Sequence, residues 1–95
     1  MNETTTQAPE TTTWLARIHV TLKPVVLDPQ GDAVLTGLHQ LGFSQVSAVR
    51  VGKYLEVTIQ AQSQEDAAAQ TRQMCERLLA NPVIERYDFD ITSRD

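Results

Sequence analysis

Between Val49 and Ala61 the apolar residues Val49, Val51, Leu55, Val57, Ile59 and Ala61 all fall on odd positions, with Lys53 as the interruption. Side chains alternate between the two faces of a strand, so this phase limits how the chain can pass Gly52-Lys53. A two-residue hairpin at that point pairs Val51 with Tyr54 and Val49 with Glu56, which sets the valines beside polar residues. Two arrangements keep the apolar residues together. One is a single long strand from Val46 to Ala61, bent at Gly52. The other is a hairpin with a three-residue loop that pairs Val51 with Leu55.

The flanking segments alternate between strand and helix periods. Ile18, Val20 and Leu22 oppose Arg17, His19, Thr21 and Lys23, which predicts a half-buried strand from Ala16 that stops at Pro24. Asp28 as N-cap and Pro29 at the first helical position open a helix to Leu41, with Val34, Leu35, Leu38 and Leu41 as its apolar stripe. Gly42 supplies a left-handed C-terminal cap, while Gly31 weakens the first turn by up to about 1 kcal/mol. Ser63, with Asp66 three residues on, opens a second helix. Its buried stripe is Ala67, Thr71, Met74, Cys75, Leu78 and Leu79, and Asn81 is suited to a left-handed cap before Pro82. A last strand runs from Val83 to Ile91, with Tyr87, Phe89 and Ile91 on one face. The expected fold is α+β and two-layered. It has an antiparallel sheet with two helices on one face, in the ferredoxin-like order β-α-β(-β)-α-β.

The 95 residues allow one domain, and a domain of this size buries only roughly 60–65% of its unfolded surface, which favours self-association. Residues 1–13 are rich in threonine and nearly devoid of apolar side chains, and read as a disordered tail ahead of a single domain at 14–95. That tail has no apolar core for a signal peptide, and no apolar run in the chain is long enough for a membrane span. Eight Lys and Arg against twelve Asp and Glu give a net charge of −4, which argues against nucleic acid and anionic membranes as partners. The strands also lack the aromatics that stack RNA bases.

One cysteine and two histidines leave too few ligands for a Cys/His zinc cluster, and no phosphate-cradling glycine motif is present. Cys75 lies on an apolar stripe, where free cysteines act as small hydrophobes. His19 and His39 read as solvated, because nothing in the sequence pairs either with a carboxylate. Asp88 and Asp90 read as a solvated strand face. The cluster that stands out is Arg50, Gly52, Lys53 and Tyr54, two cations and a ring at a bend. Arg and Tyr are enriched in protein interfaces, so these four are the candidate partner-contact residues. No catalytic, cofactor-binding or metal-ligating residue is assigned.

The phrases VTLKPVVLDPQGDAV, VRVGKYLEVTI and MCERLLANPVIERYDFDI follow one another in an order and spacing that resembles the small PurS subunit family of phosphoribosylformylglycinamidine synthase. The resemblance covers Ala16 to Ile91 and leaves the threonine-rich leader outside the family pattern. It implies a cytoplasmic role in de novo purine biosynthesis, in the conversion of formylglycinamide ribonucleotide, glutamine and ATP to formylglycinamidine ribonucleotide, glutamate, ADP and phosphate. It further implies a PurL-type synthase subunit that holds ATP and Mg, and a PurQ-type glutaminase subunit that releases ammonia. The small chain of such a complex is a homo-oligomer, dimer or tetramer, without catalytic residues or cofactor. It helps to hold the active subunits together for ammonia transfer. Lys23-Pro24 and Asp28-Pro29-Gln30-Gly31 then shape the start of the first helix. The alternative is a small-molecule-sensing module resembling the ACT domain, for which Gly31 is a faint match.

Overall fold

The computed structural model describes residues 10–94, in the order β1 (Thr12–Leu22), α1 (Pro29–Gln40), β2 (Gly52–Ala61), α2 (Gln64–Met74) and β3 (Glu85–Ser93). β1 lies in the centre of a three-stranded antiparallel sheet ordered β2-β1-β3. The α+β class, the antiparallel sheet and the element order are as the sequence predicts. The expected tail falls on residues 1–9, which lie outside the described residues, and on four residues inside them. Of these four, Thr12 and Thr13 belong to β1, paired with Ala61 and Gln60. Their β-branched side chains suit a strand, and the ladder supplies what their own apolar content does not.

The register explains the odd-position phase. Ala16, Ile18 and Val20 of β1 sit opposite Val57, Leu55 and Lys53 of β2, and opposite Ile91, Phe89 and Tyr87 of β3. These residues share one face, and it is covered by Ala67 and Thr71 of α2 and by Cys75 in the turn that follows, all fully buried. The segment 46–51 carries no ladder pairing and is not a strand, so the expected long strand from Val46 shortens to Gly52–Ala61, where the paired phase begins. No hairpin forms there.

Both helices start as expected. Ser63 Oγ accepts from Asp66 N at 3.0 Å, and Asp66 Oδ2 accepts from Gln62 N at 3.2 Å, one residue earlier than in the standard reciprocal box. α1 ends in a full Schellman motif. Gly42 N donates to His39 O and Phe43 N to Leu38 O, both at 3.0 Å, with Gly42 at φ 98°.

α2 ends differently from expectation. A π-helical turn, Cys75–Leu79, follows it and closes with Ala80 N donating to Cys75 O at 3.0 Å. The wider turn takes Leu78 off the buried stripe and leaves it 81% exposed, while Ala80 becomes buried. Ala80 is already extended, so Asn81 does not cap the helix. It braces the next turn instead, its Oδ1 accepting from Val83 N at 3.1 Å, and β3 begins two residues later than predicted.

Within one chain, α2 packs on all three strands, whereas α1 makes no comparable contact with any of them. Gly31 is the one fully buried residue of α1, and Val34 and Leu41 of its apolar stripe are exposed. The helix-covered face therefore belongs to α2 alone in the single chain. No helix among the described residues is long and apolar enough to cross a membrane.

Candidate subunit-contact surface

The link between β1 and α1 is held by two side chains, the buried Asp28 and the exposed Arg50. Asp28 is 5% exposed; its Oδ1 accepts from Gly31 N at 2.9 Å and its Oδ2 from Val51 N at 2.7 Å. One carboxylate thus caps α1 and ties Val51, at the entry to β2, to the helix start. The amide of Val51, then that of Gly31, hold the carboxyl below the ordinary aspartate range. The Arg50 charge adds to this, and burial opposes it. Gly31 is required here, because a β-carbon would run into the Val49 carbonyl oxygen and the Asp28 carboxylate. The weak first turn noted in the sequence is the cost of this close approach.

Arg50 is the second, and it stays exposed. Its Nη2 donates to Lys23 O at 3.0 Å and to Val26 O at 2.9 Å, which fixes the loop that leads into α1. Gly52 has no positive φ. It is needed for space, since a β-carbon would meet the Val20 carbonyl oxygen and the Thr21 side chain. Lys53 pairs with Val20 and Tyr54 with His19, so these two exposed side chains lie on opposite faces of the sheet. The four residues read as one cluster are therefore divided. Arg50 and Gly52 shape the backbone, Lys53 lies on the helix side, and Tyr54 lies on the polar side.

The polar side of the sheet carries contacts that the sequence did not reveal. Arg17 lies 3.4 Å from Asp90, and His19 Nδ1 lies 3.3 Å from Asp88, because the β1–β3 register sets these pairs opposite each other. The Tyr54 ring sits 5.0 Å from His19, and its hydroxyl donates to Glu56 at 2.8 Å. Partial burial, then this bond to Glu56, push the phenol up. His39 is also engaged, with Nε2 2.7 Å from Val46 O. Alternation alone assigns these residues to the wet face. Their pairing needs the register, and no short-range signal encodes it.

Cys75 is buried and unpaired, and burial, followed by the Glu76 charge, raises its thiol. A thiol held neutral in this way is poorly suited to nucleophilic attack. Among the described residues, no group of three or more His, Cys, Asp or Glu side chains is placed to hold a metal ion.

A family model described as "PurS: Phosphoribosylformylglycinamidine (FGAM) synthase" matches residues 15–93. The chain is 56% identical over 77 residues to phosphoribosylformylglycinamidine synthase subunit PurS of Synechocystis, covering 81% of this chain and 77% of the relative. It is 47% identical over 75 residues to the subunit of the same name from Bacillus subtilis, covering 79% and 88%. The crystal structure of the purS subunit from Thermotoga maritima superposes with a TM-score of 0.80 at 28% identity, covering 87% of this chain and 95% of that one. A chain in the structure of PurLQS from Thermotoga maritima superposes with a TM-score of 0.78 at 29% identity, covering 84% and 98%. None of these similarities supports the ACT-like alternative. The match spans residues 15–93, nearly all the described residues, and the Synechocystis and Bacillus subtilis relatives are identical at about half of the aligned positions or more: the chain belongs to the PurS family of phosphoribosylformylglycinamidine synthase.

Proposed function

We propose that this chain is the small, non-catalytic subunit of phosphoribosylformylglycinamidine synthase in purine biosynthesis. In this reading it works in the cytoplasm beside a PurL-type synthase subunit, which holds ATP and Mg, and a PurQ-type glutaminase subunit. The enzyme that they form is an ATP-dependent, glutamine-using ligase, and the small chain supports assembly and ammonia transfer. The observation that carries the reading is the family match over residues 15–93, joined to the likeness to a chain of the Thermotoga maritima PurLQS structure. Lys53 and Tyr54 are the partner contacts offered by their side chains, while Arg50 and Gly52 keep the backbone that presents them.

Self-association belongs to the same proposal. Val34 and Leu41 of α1 stand exposed, residues 46–51 have no ladder partner, and β2 and β3 both end the sheet with open edges. A second copy can cover α1 and pair an open edge, at the dimer level or in a tetramer. The direct test of the proposed function is co-purification. A tagged chain is expected to bring down the synthase and glutaminase subunits together when glutamine and nucleotide are present. Recovery of the chain without either subunit would overturn the assignment.

A further inference from the structure

α1 leaves the sheet as an arm. At its base Val51 N donates to Asp28, Arg50 donates to the Lys23 and Val26 carbonyls, and Gly31 lies against the Val49 carbonyl. Its far end is the turn at Gly42 and Phe43, and His39 holds the returning chain through Val46 O. α1 packs closely on no strand, so the arm projects past the end of the sheet at Leu22 and Gly52. At about 100° per residue, Val34 and Leu41 lie on the side of α1 turned away from His39, and both are exposed. The backbone of residues 47–50 has no hydrogen-bond partner among the described residues.

A matching surface lies beside α2. Arg72 stacks over the Phe89 ring and Glu76 accepts from the Tyr87 hydroxyl, which turns that flank of the helix toward β3. The opposite flank, on the β2 side, carries Asp66, Gln70, Met74 and Arg77, which with Ala69 and Gln73 line a groove of about 400 Å3. Next to it, the helix-side row of β2 is covered at one end only. Ala61 and Ile59 are buried, Val57 and Leu55 are half-buried, and Lys53 is exposed. These five alternate along one strand, so the uncovered part of the row is continuous. β2 is also an edge strand, with its outer backbone groups open. The α1 of the same chain reaches this place only by folding back and breaking the bonds at its base.

A second copy meets none of these obstacles. β2 runs away from the Gly52 end of the sheet, and α2 runs back toward it from Gln64 to Met74. A copy related by a two-fold axis at that end lays its α1 from the Met74 side toward Asp66, antiparallel to α2. The twelve residues of α1 span roughly 18 Å and the eleven of α2 roughly 17 Å, so the helices match in length. Charge matches too. Lys53 is the one charged side chain of the β2 row and lies where the arriving α1 begins, and Asp32 in the first turn is the one acid on α1. Val49 shares odd parity with Leu55 and Val57, so an antiparallel register at the β2 edge keeps these apolar residues on the helix side.

We propose that two copies of this chain exchange α1. The α1 of one copy lies antiparallel to α2 of the other, over Leu55 and Val57, and residues 47–50 behind it pair with the open edge of that copy's β2. This inference rests on the self-association in the proposed function and names the surface that receives α1. The test uses full-length chains with one added cysteine, Val34→Cys on α1 or Gln70→Cys in the groove, and a short bismaleimide cross-linker. Cys75 is fully buried, and wild type treated alike is the control for it. Circular dichroism and sedimentation are recorded for every chain. Co-expressed, the two variants are expected to give a covalent dimer containing one of each, while either alone links no more than wild type. A chain carrying both substitutions is expected to link between copies and not within itself. A dimer in solution without the mixed link, or a doubly substituted chain that links within one copy, would overturn the exchange. Should a cysteine variant fail to fold, the charge pair decides. Lys53→Glu and Asp32→Lys are each expected to weaken self-association about tenfold, and the chain with both to recover to within about threefold of wild type. Single charge variants within about twofold of wild type would overturn the exchange. A wild-type chain that stays monomeric at every concentration would contradict self-association as well. Binding to the synthase and glutaminase subunits without the mixed link would overturn the exchange alone. The mixed link without that binding would contradict the proposed function and leave the exchange standing.

Discussion

Asp28 sets a condition on how the protein responds to acid. Its folded carboxyl titrates below the ordinary aspartate value, mainly because Val51 N and then Gly31 N donate to the charged form. A depressed carboxylate contributes stability that is complete above the unfolded value, near pH 4, and is lost as pH falls through the lower folded value. Melting temperature is therefore expected to drop below about pH 4, and Asp28→Asn is expected to flatten that drop. The amide would also lower stability at neutral pH, because its NH2 faces a backbone donor where an oxygen was needed. An unchanged acid profile in the variant would show that Asp28 does not carry the effect. Cys75 gives a second check. Cys75→Ser buries a hydroxyl in an apolar site and is expected to cost about 1–3 kcal/mol. Amidation reconstituted with the partner subunits should stay within about twofold of wild type. At this scale the caps at Asp28 and Ser63 were legible in the sequence, because capping is local. The bonds of Arg50 to Lys23 and Val26, the His39 bond to Val46 and the His19–Asp88 pair were not, because each depends on residues brought together by the fold.

Among the elements, legibility follows how far each depends on distant parts of the chain. β1 and the inner face of β3 follow from alternation, and the odd-position phase of β2 survives in the register. α2 departs from its period where the π-helical turn takes Leu78 to solvent, a change that no 3.6-residue count anticipates. α1 shows the opposite case. Its helical period holds, but Val34 and Leu41 of the expected stripe are exposed, since α1 packs closely on no strand of this chain. If a second copy covers α1, then Val34→Asp should leave the secondary structure intact and shift sedimentation toward the monomer. The expected loss is about tenfold or more in self-association, typical of a charge placed in an apolar contact. An oligomer as tight as wild type would place the interface elsewhere, on the open edges of β2 or β3.

For the whole molecule, the family follows from wording spread along most of the chain, while the division of labour between subunits follows from none of its individual side chains. The candidate contacts illustrate the limit. A compact cluster in sequence, Arg50 to Tyr54, separates into backbone supports and two opposed faces once β2 is paired. In the proposed function the chain is required by the ligase and performs none of its chemistry. The most direct measurement is formation of formylglycinamidine ribonucleotide from purified synthase and glutaminase subunits, with glutamine, ATP and Mg, in the presence and absence of this chain. The chain alone is expected to release no glutamate and consume no ATP, and glutamine-dependent amidation should appear only when all three proteins are combined. A glutaminase rate from this chain by itself that survives repurification, or full amidation from the two larger subunits without it, would contradict the account.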